Sequence, residues 1–147
     1  MRVWILAVAL VAAPAGASPS SGEGPSLGVT MSRVQDLAAD LWFALDAGNQ
    51  PLANYFVHEL EEAFEDVQEH HVTHNEVALA PHLKVVLGEG GAIESLEAAM
   101  KKGEGVPEAY DALTKACSSC HAATGHPYLK VGRPKAPRSV MLAWPPE

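Results

Sequence analysis

The sequence predicts an all-α protein, an antiparallel up-down-up-down four-helix bundle. Three observations lead there. Apolar residues recur at helical spacing in four segments of about 16 to 22 residues. Pro, Gly and Asn stand at the joints between them, and such short joints make successive helices antiparallel. No stretch alternates with period two for long enough to suggest a strand.

The first segment covers residues 32–47. Val34, Leu37, Leu41 and Leu45 form its apolar face, flanked by Ala38 and Ala44. Ser32 is the expected N-cap, and Gly48 ends the run as the C′ residue. Asn49 then caps the second helix, and Pro51 fits its first turn, where a missing N–H costs nothing. Leu52, Phe56, Leu60, Ala63, Phe64 and Val67 make one stripe, while His58, Glu61, Glu62, Glu65 and Glu69 point elsewhere. The spacing carries this stripe on through His70, His71 and His74, up to the boundary at Pro81. The third segment, residues 82–101, has Leu83, Val86, Leu87, Ile93, Leu96 and Met100 on its apolar side. Gly88, Gly90 and Gly91 each weaken it by about 1 kcal/mol relative to alanine, which predicts a loosened middle or two short helices end to end. Pro107 opens the last helix, residues 108–124, and Gly125 terminates it.

Both ends read differently. Arg2, the apolar run VWILAVALVAA and the small residues Ala15-Gly16-Ala17 predict a signal peptide over residues 1–17, cut after Ala17. A short membrane anchor is the alternative, although the run is shorter than the roughly 20 residues a span needs. Residues 18–26 are expected to be a flexible lead, residues 27–131 the bundle, and residues 132–147, with four prolines, an extended tail. The mature chain is then expected to be periplasmic or otherwise exported, with no membrane contact. Loss of Arg2 leaves nine basic side chains against eighteen acidic ones. That balance argues against nucleic acid and for a basic or neutral partner protein. A homodimer is also compatible with the bundle.

The chain's two cysteines both fall in ACSSCHAATGH, residues 116–126. Cys117 and Cys120 lie one helical turn apart, and His121 follows at i+4 from Cys117. C-x-x-C-H is the attachment pattern of c-type haem. Two thiols on one turn can reach the two vinyl groups along one porphyrin edge, and the next residue points an imidazole at the iron. Two other chemistries use such a pair. A redox dithiol normally sits at a helix N-terminus after a strand, where the dipole lowers the thiol pKa. A zinc site would need Cys117, Cys120 and two histidines.

An all-helical bundle with C-x-x-C-H near its C-terminus resembles the cytochrome c′-like family. LWFALDAGNQPLANYFVHELEEAFEDV (residues 41–67) and YDALTKACSSCHAATGHPYLKV (residues 110–131) together resemble a group of exported c-type cytochromes of bundle type. The likeness spans most of residues 27–131. It implies one covalent haem c, thioethers at Cys117 and Cys120, proximal ligation by His121, and a redox or gas-binding role. One position differs. Typical cytochromes c′ carry a basic residue shortly after the proximal histidine, whereas this chain has Ala122, Ala123, Thr124 and Gly125.

In an up-down bundle the end of the fourth helix lies beside the start of the first, the end of the second and the start of the third. Those regions hold Met31, the group His70, His71 and His74, and His82 with Leu83. Any of His70, His71, His74 or Met31 is a candidate sixth ligand; methionine would raise the potential. The alternative is a solvated polar helix end, or a distal side lined by Val34, Leu37 or Phe64 and open to a small gas. A second metal bound by the three histidines is a further alternative. His126 is a candidate propionate contact. Tyr128 and Leu129 are expected at the haem edge, and Trp42, Phe43, Tyr55, Phe56, Phe64 and Tyr110 as core filling. His58 is expected on the surface. No G-x-S-x-G, phosphate loop or H-E-x-x-H is present, which leaves an electron carrier or ligand-binding haem protein rather than an enzyme.

Overall fold

The computed structural model describes residues 24–137. The expected leader at residues 1–17 and the tail beyond residue 137, with Trp144, lie outside them. The described chain is predominantly helical: α1 (Leu27–Asp46), α2 (Gln50–His70), α3 (Ala80–Leu87), α4 (Ala92–Lys102) and α5 (Val106–Ala123). Between α2 and α3 stands a hairpin of two-residue strands, β1 (Thr73–His74) and β2 (Val77–Ala78).

Most joints follow the sequence. The Asn49 side chain accepts from the Leu52 N–H at 3.3 Å, with Pro51 in the first turn of α2. Gly48 follows the C-cap of α1 at φ +67°, a conformation that costs glycine nothing. The glycine-rich stretch splits the third segment into α3 and α4. There a Cβ on Gly91 would stand 2.6 Å from the Gly88 oxygen and 2.7 Å from the Val86 oxygen, so the two helix ends meet only over a bare backbone.

Three expectations need correction. Ser32 does not cap α1, which begins a turn earlier at Leu27; its hydroxyl instead donates back to the Gly28 carbonyl at 3.1 Å. The apolar stripe of α2 does not run on through His70, His71 and His74. The helix ends at His70, His71 is extended, and His74 belongs to β1. Asn75 and Glu76 both take positive φ, 48° and 65°, the signature of a two-residue I′ hairpin. Strands this short leave no alternation to read, and the i, i+4 spacing of His70 and His74 imitates a helix. Finally, Tyr55 is exposed, not core.

Helix α1 packs along α2 and α4 along α5, while α2 also touches α3 and α4, and α3 touches α5. Leu41, Leu60, Leu96 and Leu113, one each from α1, α2, α4 and α5, are fully buried where these elements meet. Each such leucine contributes about 1.5–3 kcal/mol. Tyr110 ties α5 to α1: its buried hydroxyl donates to the Ala38 carbonyl at 2.8 Å, and its ring lies 5.0 Å from that of Trp42. Among the described residues no helix is long and apolar enough to cross a membrane.

Candidate cofactor site

The last two turns of α5 carry Cys117, Cys120 and His121, all half-buried, and both thiols are free. They open into a cavity of about 760 Å³, within the ~300–1,000 Å³ usual for cofactor sites. The cavity gathers the first turns of α1 (Leu27, Met31, Val34), the last turns of α2 (Leu60, Phe64, Val67), the start of α3 (His82, Leu83, Val86) and the end of α5. Its walls are mostly apolar, so any occupant excludes water from the face of α5 that bears the thiols.

Burial pushes the Cys117 thiol up to about 11, with the adjacent Cys120 adding to the effect. Burial also raises Cys120. Both are therefore protonated at neutral pH. Their position near the negative end of the α5 dipole works against the thiolate as well.

His121 is held from outside the helix. Its Nδ1 lies 3.2 Å from the Leu129 carbonyl oxygen. A carbonyl only accepts, so Nδ1 carries the proton, and in the neutral ring Nε2 keeps its lone pair. A metal-ligating histidine characteristically has its second nitrogen occupied in this way. Leu129 belongs to a segment, residues 126–134, that turns back after Gly125 and forms another cavity wall with Tyr128, Lys130 and Val131. Tyr128 and Leu129 remain 73% and 45% exposed beside the cavity, two large apolar side chains that the protein itself leaves uncovered.

The other candidates separate into two groups. Met31, His74, His82 and His126 line the cavity, as do Val34 and Phe64. His74 stacks on His126 at 5.2 Å, and Asn75 Nδ2 donates to the Thr124 carbonyl at 2.8 Å, so the hairpin is pinned to the end of α5. His70 and His71 do not line the cavity, which corrects their candidacy as ligands; nor does Leu37. His70 is exposed with its Nδ1 2.9 Å from the Asp66 carbonyl oxygen, and the buried His71 Nε2 has no hydrogen-bond partner. His70 is still the last residue of α2, with its ring bonded back along the helix to Asp66, whereas His71 already lies past the helix end in extended backbone. His58 is exposed, 3.4 Å from Glu62, as expected. Among the described residues no three His, Cys, Asp or Glu side chains are grouped to hold a metal ion.

Sequence reasoning missed Ser118 and Arg133. The Ser118 hydroxyl accepts from the Val131 N–H at 2.9 Å, and Arg133 forks onto Asp111 at 2.6 and 2.7 Å. No local pattern links either to the cysteines, since their partners lie 13 and 22 residues away. No family model, curated protein or solved structure matches the chain.

Proposed function

We propose that the chain is an exported monohaem c-type cytochrome that carries single electrons, built as an antiparallel up-down four-helix bundle with α3 and α4 as its interrupted third helix. One observation carries the reading: C-x-x-C-H opens onto an apolar cavity of about 760 Å³ with the His121 Nδ1 already engaged and its Nε2 bare. Cys117 and Cys120 would tether one covalent haem c through thioethers, and His121 would ligate it. Haem supplies a one-electron couple. The chain's own residues do the rest. Phe64, Val67, Leu83 and Val86 keep water from the cofactor face, and Tyr128 and Leu129 are of the right character to cover its edge. The acidic balance suits docking to a basic partner.

The apolar walls from α1 and α2 favour a second reading, a five-coordinate haem module that binds small gases. A ferrous high-spin spectrum that shifts on adding CO would select it; low-spin bands in both oxidation states would select the electron carrier. A thiol–disulfide enzyme fits poorly, because burial raises both thiols where that chemistry needs them lowered.

The test is expression of the full chain in an exporting host with haem-attachment machinery, followed by acid extraction and mass measurement of the denatured protein. The expected product carries the mass of one haem on the peptide containing Cys117 and Cys120. Colourless protein of unmodified mass would refute the proposal.

A further inference from the structure

Residues 126–134 form a strap along α5. Leu129, Val131 and Arg133 each meet that helix, at His121, at Ser118, and at Asp111 and Pro107. On α5 these contacts descend by three, seven and four residues, which is one stripe of a helix. The lengths agree: His121 to Asp111 spans about 15 Å of helix, and Leu129 to Arg133 spans about 13 Å of extended chain, with the arginine side chain reaching the remainder.

The fastenings are unequal. Ser118 grips Val131 twice, accepting from its N–H at 2.9 Å and donating to its carbonyl at 3.4 Å. Arg133 donates to both Asp111 carboxylate oxygens and to the Pro107 carbonyl at 3.1 Å, and it lies 4.6 Å over the Trp42 ring. Leu129 itself is exposed, so packing of its own side chain does little to hold its carbonyl in place. That carbonyl is held over His121 from both sides. Upstream, the Leu129 N–H donates to the His126 carbonyl at 3.0 Å and the His126 N–H to the His121 carbonyl at 2.7 Å. Downstream, the chain is clamped two and four residues further on.

We propose that Ser118 and Arg133 are positioning residues for His121: by clamping the strap they hold the Leu129 carbonyl on Nδ1, which locks the imidazole in the Nδ1–H tautomer with Nε2 facing the cavity. The consequence for a bound haem rests on the cytochrome reading; the tautomer does not. A neutral histidine in water favours the other tautomer, with the proton on Nε2, where it would block ligation. A carbonyl on Nδ1–H also makes the imidazole a stronger donor, and loss of such a partner typically weakens metal binding by about 10- to 100-fold. The strap thereby gives His121 a polar partner in a chain with Ala122, Ala123, Thr124 and Gly125 after it.

The test uses the ¹⁵N-labelled full chain made without haem, with its thiols reduced, at a pH about two above the ordinary histidine value of ~6.5. Nitrogen shifts of the His121 ring report the tautomer directly. The wild-type chain is expected to be predominantly Nδ1–H. Ser118→Ala should move the population severalfold toward Nε2–H, Arg133→Gln should move it the same way, and Ser118→Thr should restore it. In haem-loaded protein the same two variants should raise the midpoint potential, up to about 59 mV for a tenfold loss of preference for the ferric state. A lowered melting temperature with unchanged tautomer and potential would mean that the clamps only stabilise the fold, and would overturn the proposal. Should Ser118→Ala fail to fold, Arg133→Gln decides, because that side chain is exposed at the far end of the strap. A chain that takes up no haem yet shows the tautomer shift would refute the cytochrome reading and leave the clamp standing.

Discussion

Alkylation of the full chain made without haem separates a buried thiol, which the proposed haem attachment would use, from a reactive one. Cys117 stands at about 11 against an ordinary 9.0 because burial disfavours the thiolate. At neutral pH that difference cuts the thiolate fraction about 100-fold. The more basic sulfur is also a better nucleophile, with a Brønsted coefficient of about 0.4–0.5 that returns roughly a factor of 8. The net expectation is about a tenfold slower reaction than an unhindered cysteine, before any loss from restricted access. The assay is iodoacetamide labelling of the folded, reduced full chain, with peptide mapping to count modification at Cys117 and Cys120 separately. Cys117 should be the slower of the two, and unfolding in urea should abolish the difference. The raised value also has a sign for stability. It means that folding holds the proton, so the contribution is complete below about 9 and is lost as the pH rises toward 11. Unfolding midpoints of the haem-free chain should therefore fall across that interval. Cys117 labelling at neutral pH as fast as a free thiol would refute the reasoning from burial, and would revive a dithiol enzyme.

Further outcomes are expected elsewhere. Gly91→Ala should cost about 1–3 kcal/mol in urea denaturation, because its Cβ meets two backbone oxygens that cannot rotate away; a neutral result would mean that the α3–α4 joint yields. Tyr110→Phe should cost only about 0.5–1.5 kcal/mol, since the ring keeps its contact with Trp42 and only the bond to Ala38 is lost. Tyr110→Ala should cost about 3–5 kcal/mol by emptying a core position, and equal losses for the two would contradict this division. In haem-loaded protein, loss of the low-spin bands on His74→Ala or on Met31→Leu would identify the sixth ligand, and no change in either would remove both.

Helical class, the cap at Asn49, the stop at Gly48 and the interruption at residues 88–91 were legible in the residues alone, because each depends on backbone preferences that act within a few positions. So was the grouping of Cys117, Cys120 and His121, since one helical turn sets their neighbourhood. The regions expected beside them, at Met31, His82 and Leu83, do line the same cavity. Only the tertiary structure decided which histidines reach it. His70, His71 and His74 look alike as a spacing, yet a two-residue hairpin turns His74 toward His126 and leaves the other two outside. Such a hairpin is stabilised by contacts to the far end of α5 rather than by its own alternation. The strap was equally invisible: Ser118 and Arg133 are ordinary polar residues until the chain folds back and brings Val131 and Asp111 to them. Local preferences act along the chain, whereas these bonds exist only once distant segments have met.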